Sequence, residues 1–166
     1  ISKITDSAGR AVEYGYTDSK LTNVKNVEGN TYIYEYDAKD RLIKLIDPLS
    51  NVTITNVYDD QGRTTEQTMA DGVTNSLTYD DTNLTTTLTQ GNGSQIIYKY
   101  DKDYRIYERV YINGSEKLTF NDNNQVTSFT DKNGNTYHYE YDRNGNITKE
   151  SNPLGLVTEY VYDENN

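Results

Sequence analysis

An aromatic residue followed by a short polar residue returns in this chain every 20 to 22 positions. The aromatic members are Tyr16, Tyr36, Tyr58, Tyr79, Tyr100, Phe120, Tyr141 and Tyr162. The residues that follow them are Thr17, Asp37, Asp59, Asp80, Asp101, Asn121, Asp142 and Asp163. A fixed short period is the signature of a repeat architecture, and it outranks every other constraint on the fold.

A second series runs half a period away: Gly9, Gly29, Ser50, Gly72, Gly93, Gly114, Gly134 and Gly155. Its contexts favour turns, as in Asn133-Gly134 and Asp47-Pro48-Leu49-Ser50. Asn-Gly is read as supplying the positive φ angles of tight hairpin turns. Each period therefore holds two turns and two extended runs of about six residues, the usual strand length. Tyr32, Tyr34 and Tyr36 fall on one strand face, with Ile33 and Glu35 on the other. Tyr137, Tyr139 and Tyr141 repeat this pattern, with His138 and Glu140 opposite.

The expected fold is all-β: tandem antiparallel hairpins of about 21 residues in a curved, twisted open sheet. The aromatic series is expected to stack as a ladder across successive hairpins. Residues 1–166 are read as one array of about eight registers, entered and left within a repeat, and so as a slice of a longer one. Bare strand edges make edge-to-edge self-association an expected property.

Composition sets the character of the core. Hydrophobic residues are 33% of the chain and the net charge is −10, close to the balance at which disorder begins. Seventeen tyrosines offset this, since each buries a ring while keeping its hydroxyl wet or bonded. A thin, tyrosine-rich core is the expectation. The acidic balance argues against nucleic acid as a partner. No apolar run suits insertion into a membrane as a helix.

The repeat resembles the YD repeat, also called the Rhs repeat. The nearest copies are Tyr34-Glu35-Tyr36-Asp37-Ala38-Lys39-Asp40-Arg41-Leu42, Val57-Tyr58-Asp59-Asp60-Gln61-Gly62-Arg63 and Tyr139-Glu140-Tyr141-Asp142-Arg143-Asn144-Gly145. Thr17 and Asn121 depart from the Asp, Ser50 departs from the Gly, and Asp80-Asp81-Thr82-Asn83-Leu84 lacks Gly-Arg. The family includes bacterial Rhs elements, wall-associated polymorphic toxins, the B and C components of Tc toxins, and teneurins. The resemblance implies a secreted or cell-surface protein whose array forms a shell around a toxin or other domain. It also implies adjacent repeats and that enclosed domain as partners. A carbohydrate-binding or adhesive surface is the alternative it suggests, with glycans as partners. Asn152-Pro153-Leu154-Gly155-Leu156 is similar to the family's terminal core motif, but it lies in register with an ordinary half-period turn.

No catalytic, cofactor-binding or metal-binding residue is assigned. His138 is the only histidine, and a Ser-His-Asp arrangement would need it seated in a cleft with two partners. With no cysteine and one histidine the chain lacks the ligands of a zinc site. A catalytic carboxylate pair is unique, whereas Asp37, Asp59, Asp80, Asp101, Asp142 and Asp163 recur once per repeat. They are read as turn residues capping their own backbone, together with Gly29, Gly72, Gly93, Gly114, Gly134 and Gly155. Asp131-Lys132-Asn133-Gly134-Asn135 faintly resembles a calcium loop but lacks the closing bidentate Glu.

Overall fold

The computed structural model describes residues 1–164. Among them are sixteen strands, whose order in the sheet is their order in the chain. The described pairings are antiparallel.

Residues divide into two compact units. The first comprises Ile1–Leu77 and Gln90–Gly93. It holds β1 (Lys3–Thr5), β2 (Ala11–Thr17), β3 (Lys20–Lys25), β4 (Thr31–Tyr36), β5 (Leu42–Ile46), β6 (Val52–Tyr58), β7 (Thr64–Met69) and most of β8 (Thr74–Asp80). The second comprises Thr78–Thr89 and the chain from Ser94 onward. It holds β9 (Thr85–Thr89), β10 (Gln95–Tyr100), β11 (Ile106–Tyr111), β12 (Gly114–Phe120), β13 (Val126–Thr130), β14 (Thr136–Tyr141), β15 (Ile147–Ser151) and β16 (Val157–Glu159).

These segments become strands because Thr, Val, Ile and Tyr alternate with polar residues and no helical stripe survives. The turns do the rest. In β14 the tyrosines are half-buried while His138 and Glu140 are exposed, as the alternation requires.

The core is thinner than expected. Among the described residues no apolar side chain is buried, and Thr86 alone reaches the buried class. Most of the tyrosines are half-buried, while Tyr16, Tyr32, Tyr104, Tyr107, Tyr160 and Tyr162 are exposed. Stability therefore rests on backbone pairing and on cross-strand contacts, each worth roughly 0.2–1 kcal/mol.

The face opposite the tyrosines carries a second set of such contacts. Glu35 faces Lys44, Lys99 faces Glu108 and Glu140 faces Lys149. The ion pairs are 3.3, 2.9 and 3.1 Å long. In each the partner lies nine residues along, the separation set by the hairpin register. Being half-exposed, these pairs contribute modestly and mainly fix register.

Candidate functional site: the repeated turn clamp and its aromatic row

The recurring chemistry is in the turn. Asp37 Oδ1 accepts the backbone N–H groups of Lys39 and Arg41 at 2.9 and 3.0 Å. Its Oδ2 accepts Arg41 Nε at 2.7 Å. The Asp40 N–H closes the turn onto the Asp37 carbonyl at 3.1 Å, and the Asp37 N–H meets the Arg41 carbonyl. One carboxylate thus satisfies three donors, and the loop has no slack. Asp101 does the same with Asp103 and Arg105. Asp142 does it with Asn144 and Asn146, where an Asn side chain replaces Arg at 2.9 Å. At Asn121 the carbonyl oxygen takes the backbone donors, from Asn123 and Gln125.

The turn type corrects the reading from Asn-Gly. The residue with positive φ is the fourth of the turn alone, not both central residues. It is Gly62 at 85°, Gly145 at 93°, Asp40 at 65°, Tyr104 at 59° and Asn124 at 62°. This is a type I turn followed by a left-handed residue, the geometry of a longer hairpin loop. A true two-residue turn occurs at Asp18 and Ser19, where φ is 50° and 68°. That shorter loop is where Thr17 stands in place of Asp.

Six turns of the Tyr-Asp series also follow a register shift. Glu35 pairs with Lys44 but Tyr36 pairs with Leu42, so Ile43 is an extra residue on the returning strand. The same shift occurs at Tyr16, Tyr58, Tyr100, Phe120 and Tyr141. Such a bulge bends its strand and re-aims the neighbouring side chains.

The half-period turns are built the same way, which the glycine series alone did not reveal. Asp6, Asn26, Asp47, Asp131 and Asn152 each lie three residues before the left-handed Gly9, Gly29, Ser50, Gly134 and Gly155. Each accepts two backbone N–H groups two and four residues on. The signal was present as Asx-x-x-Gly. Gly72 follows a different anchor, its N–H meeting the Met69 carbonyl while Asp71 takes the Val73 N–H at 2.9 Å. Gly93 bonds the Gln90 carbonyl at 2.8 Å. Gly114 departs most: it pairs with Tyr111 across a two-residue turn at φ 138°. The Asp80 turn runs one residue longer, to Leu84 at φ 50°, with Thr82 and Asn83 as donors. Asp163 lies beyond β16.

The clamp depresses its carboxylates. Asp37 is held below the ordinary 3.8 by the Arg41 backbone N–H and then by the Arg41 side chain. Asp59 and Asp142 are lowered chiefly by the side chains of Arg63 and Asn146. At Asp101 burial pushes upward, and the Arg105 donors outweigh it.

The aromatic row ties hairpins together through oxygen. Tyr36 Oη donates to the Leu21 carbonyl at 2.8 Å, and Tyr58 Oη to the Leu42 carbonyl at 2.7 Å. Tyr141 reaches Val126 and Tyr162 reaches Ile147, both at 2.8 Å. Tyr16 reaches the Ile1 carbonyl at 3.0 Å. The acceptor recurs in register: Leu42, Val126 and Ile147 each face the preceding aromatic of the row, Tyr36, Phe120 and Tyr141. At Tyr100 the backbone N–H, rather than the hydroxyl, reaches the Leu84 carbonyl. Phe120 carries no hydroxyl. There Arg105 lies over the ring at 4.9 Å and reaches Asn124 Oδ1 at 2.7 Å. Arg41 likewise covers Tyr58 at 4.7 Å and donates to the Asp59 carbonyl at 2.8 Å. A turn arginine thus grips the next turn as well as its own. The ring pair Phe129–Tyr137 stacks with centroids 6.2 Å apart, but those two residues lie outside the Tyr-Asp series.

His138 stands on the opposite face, exposed, and in register between Ser128 and Ser151. None of the described hydrogen bonds joins it to either. Among the described residues no group of three or more His, Asp or Glu side chains is placed to hold a metal.

A repeat with this turn, this row and this period matches a known family. The RHS repeat pattern matches residues 17–52, 120–155 and 141–166, half of the chain. The chain belongs to the RHS repeat family. Solved structures share the fold. A mutated Tc holotoxin pore from Photorhabdus luminescens aligns over 93% of this chain with a TM-score of 0.70 and 15% identity. The TcdB2–TccC3 structure without its hypervariable C-terminal region aligns over 90%, with a TM-score of 0.69 and 16% identity. The TcdB2–TccC3–Cdc42 structure aligns over 93%, also with a TM-score of 0.69 and 16% identity. This chain spans 10% of each of those solved chains. No curated protein matches it. The RHS chain is a structural repeat module.

Proposed function

We propose that the chain is a non-catalytic stretch of wall in a larger secreted or cell-surface protein, where it secludes or presents another domain of that protein. The carrying observation is the recurrence of the clamp. The turn clamp recurs along the chain, and at Asp37–Arg41 and Asp101–Arg105 its arginine also fastens one hairpin to the next. Strands in chain order with half-exposed faces suit a wall rather than a packed globule. The likeness in fold to parts of Tc toxin assemblies supports the same reading.

Limited proteolysis of the full-length protein tests it. Any domain outside the array should resist cleavage while the array is intact. It should become sensitive when clamps are removed together, as in Asp37→Ala with Asp101→Ala. Equal digestion rates in both proteins would refute seclusion. Fractionation of the producing cells should find the protein outside or on the surface.

A further inference from the structure

The tyrosine face carries one side chain that its own register does not complement. Positions directly opposite one another on this face form short rows across three strands. Tyr34, Leu45 and Ile54 make an apolar row on β4, β5 and β6. Asn56, Gln67 and Asn75 make an amide row on β6, β7 and β8, with Gln67 Nε2 donating to Asn56 Oδ1 at 3.0 Å. Tyr98, Arg109 and Glu116 make a charged row on β10, β11 and β12, with the guanidinium 3.8 Å from the carboxylate. Each of these rows is chemically closed.

The row on β14, β15 and β16 is Tyr139, Glu150 and Thr158. Glu150 stands where Arg109 stands two repeats earlier, beside the equivalent tyrosine, and Thr158 supplies no charge. The Glu150 carboxylate accepts Tyr160 Oη at 2.8 Å, and among the described residues no cation reaches it. On the opposite face of the same hairpin Glu140 is paired with Lys149, and on β11 Glu108 is paired with Lys99 and Lys117. Glu150 also lines an open groove of about 360 Å³ with Tyr137, Tyr139 and Asn152. That volume is in the range of small-ligand sites. Phe129 stacks behind Tyr137 and fixes that ring.

We propose that this groove binds a guanidinium group, the side chain of an arginine presented by a protein segment. The two tyrosine rings that line the groove offer the quadrupole that attracts a planar cation, and the carboxylate offers the acceptor that matches its fork. Arginine is favoured over lysine because it stacks as well as pairs. The internal precedent is the same chemistry read in reverse: between Tyr98 and Tyr111 the chain supplies both Arg109 and Glu116 itself. The proposal concerns this groove alone and stands independently of the wall function.

The test is a titration of the chain with N-acetyl-arginine methylamide, followed by the aromatic ¹H–¹³C resonances of Tyr137 and Tyr139. N-acetyl-lysine methylamide and N-acetylglucosamine serve as the comparison ligands. Saturable shifts are expected with arginine, weaker ones with lysine and none with the sugar. Glu150→Gln should weaken arginine binding by about tenfold or more. Glu140→Gln, on the other face, should leave it unchanged. Thr158→Lys brings an internal cation to Glu150 and should close the site to arginine while raising the unfolding midpoint. The last result also separates loss of the site from loss of the fold. Binding that ignores Glu150→Gln, or that is equal for the sugar, overturns the proposal, as does an absence of saturable shifts with arginine.

Discussion

Tyr36 donates its hydroxyl to the backbone carbonyl of Leu21, and Leu21 is the residue that faces Tyr16 across the preceding hairpin. One side chain therefore fastens its own repeat to the pair that defines the repeat before it. Tyr36→Phe removes this link and little else. It should cost about 1 kcal/mol, the net worth of one hydrogen bond, as read by urea unfolding. Tyr141→Phe should cost a similar amount through Val126. Phe120→Tyr restores the missing hydroxyl and should not destabilise.

The clamp arginine couples two consecutive turns. Arg41 holds Asp37 in its own loop, covers the Tyr58 ring and reaches the Asp59 carbonyl. Lysine keeps the charge but cannot supply the fork or the planar cover. Arg41→Lys should lower the unfolding midpoint. A double-mutant cycle with Tyr58→Leu should show coupling between the two sites. Arg10, whose side chain is described only on Asp6, is the comparison and should tolerate lysine better.

Two glycines separate backbone strain from crowding. A Cβ on Gly155 would meet nothing within 4 Å, so Gly155→Ala pays only for φ 78°. That cost should be about 1–2 kcal/mol. A Cβ on Gly114 would come within 2.8 Å of the Lys132 carbonyl, in addition to φ 138°. Gly114→Ala should be the more destabilising of the pair, which paired thermal melts will decide.

Acid should undo the clamps. Asp6, Asp37, Asp47, Asp59, Asp80, Asp101, Asp131 and Asp142 all lie below their ordinary 3.8 in the folded chain. A folded pKa below the unfolded one gives stability that is fully present above the unfolded value. It is lost as pH falls through the folded value. The urea midpoint should therefore be level on this account above about pH 5 and should fall below pH 4. Asp142→Asn should flatten part of that fall, since Asn121 and Asn152 show that an amide can hold the same turn without titrating.

The period, the all-β class and the strand positions were legible because Tyr-Asp recurs where a strand ends. Tyr32, Tyr34 and Tyr36 alternate as a pleated face must. The atoms that meet were not legible. A recurring Tyr36 signals a common environment, but a ring ladder and a hydroxyl-to-carbonyl link leave the same periodicity. The half-period series was found by its glycines, although Asp47 and Asn152 do the anchoring. Asp, Asn and Ser are common throughout this chain, so their offset from Gly carries little contrast. The Glu35–Lys44 and Glu140–Lys149 pairs depend on a register displaced by the extra residue on the strand that returns from each of these turns. A two-residue hairpin would have paired different positions. Glu150 stands out only against its cross-strand neighbours, and the sequence does not name those until the register is known.

The sheet's chain order has a consequence for how such a protein can change in length. Every link described runs within one hairpin or between adjoining hairpins, so two strands added together leave the links on either side of them with their old partners. A single added strand would reverse the direction of everything after it. A link that spans the insertion, such as Arg41 to the Asp59 carbonyl or Tyr58 Oη to the Leu42 carbonyl, would find the wrong edge opposite. Growth and loss are tolerable in steps of one full hairpin, and evolution can lengthen or shorten the array in that unit without redesigning any part of it.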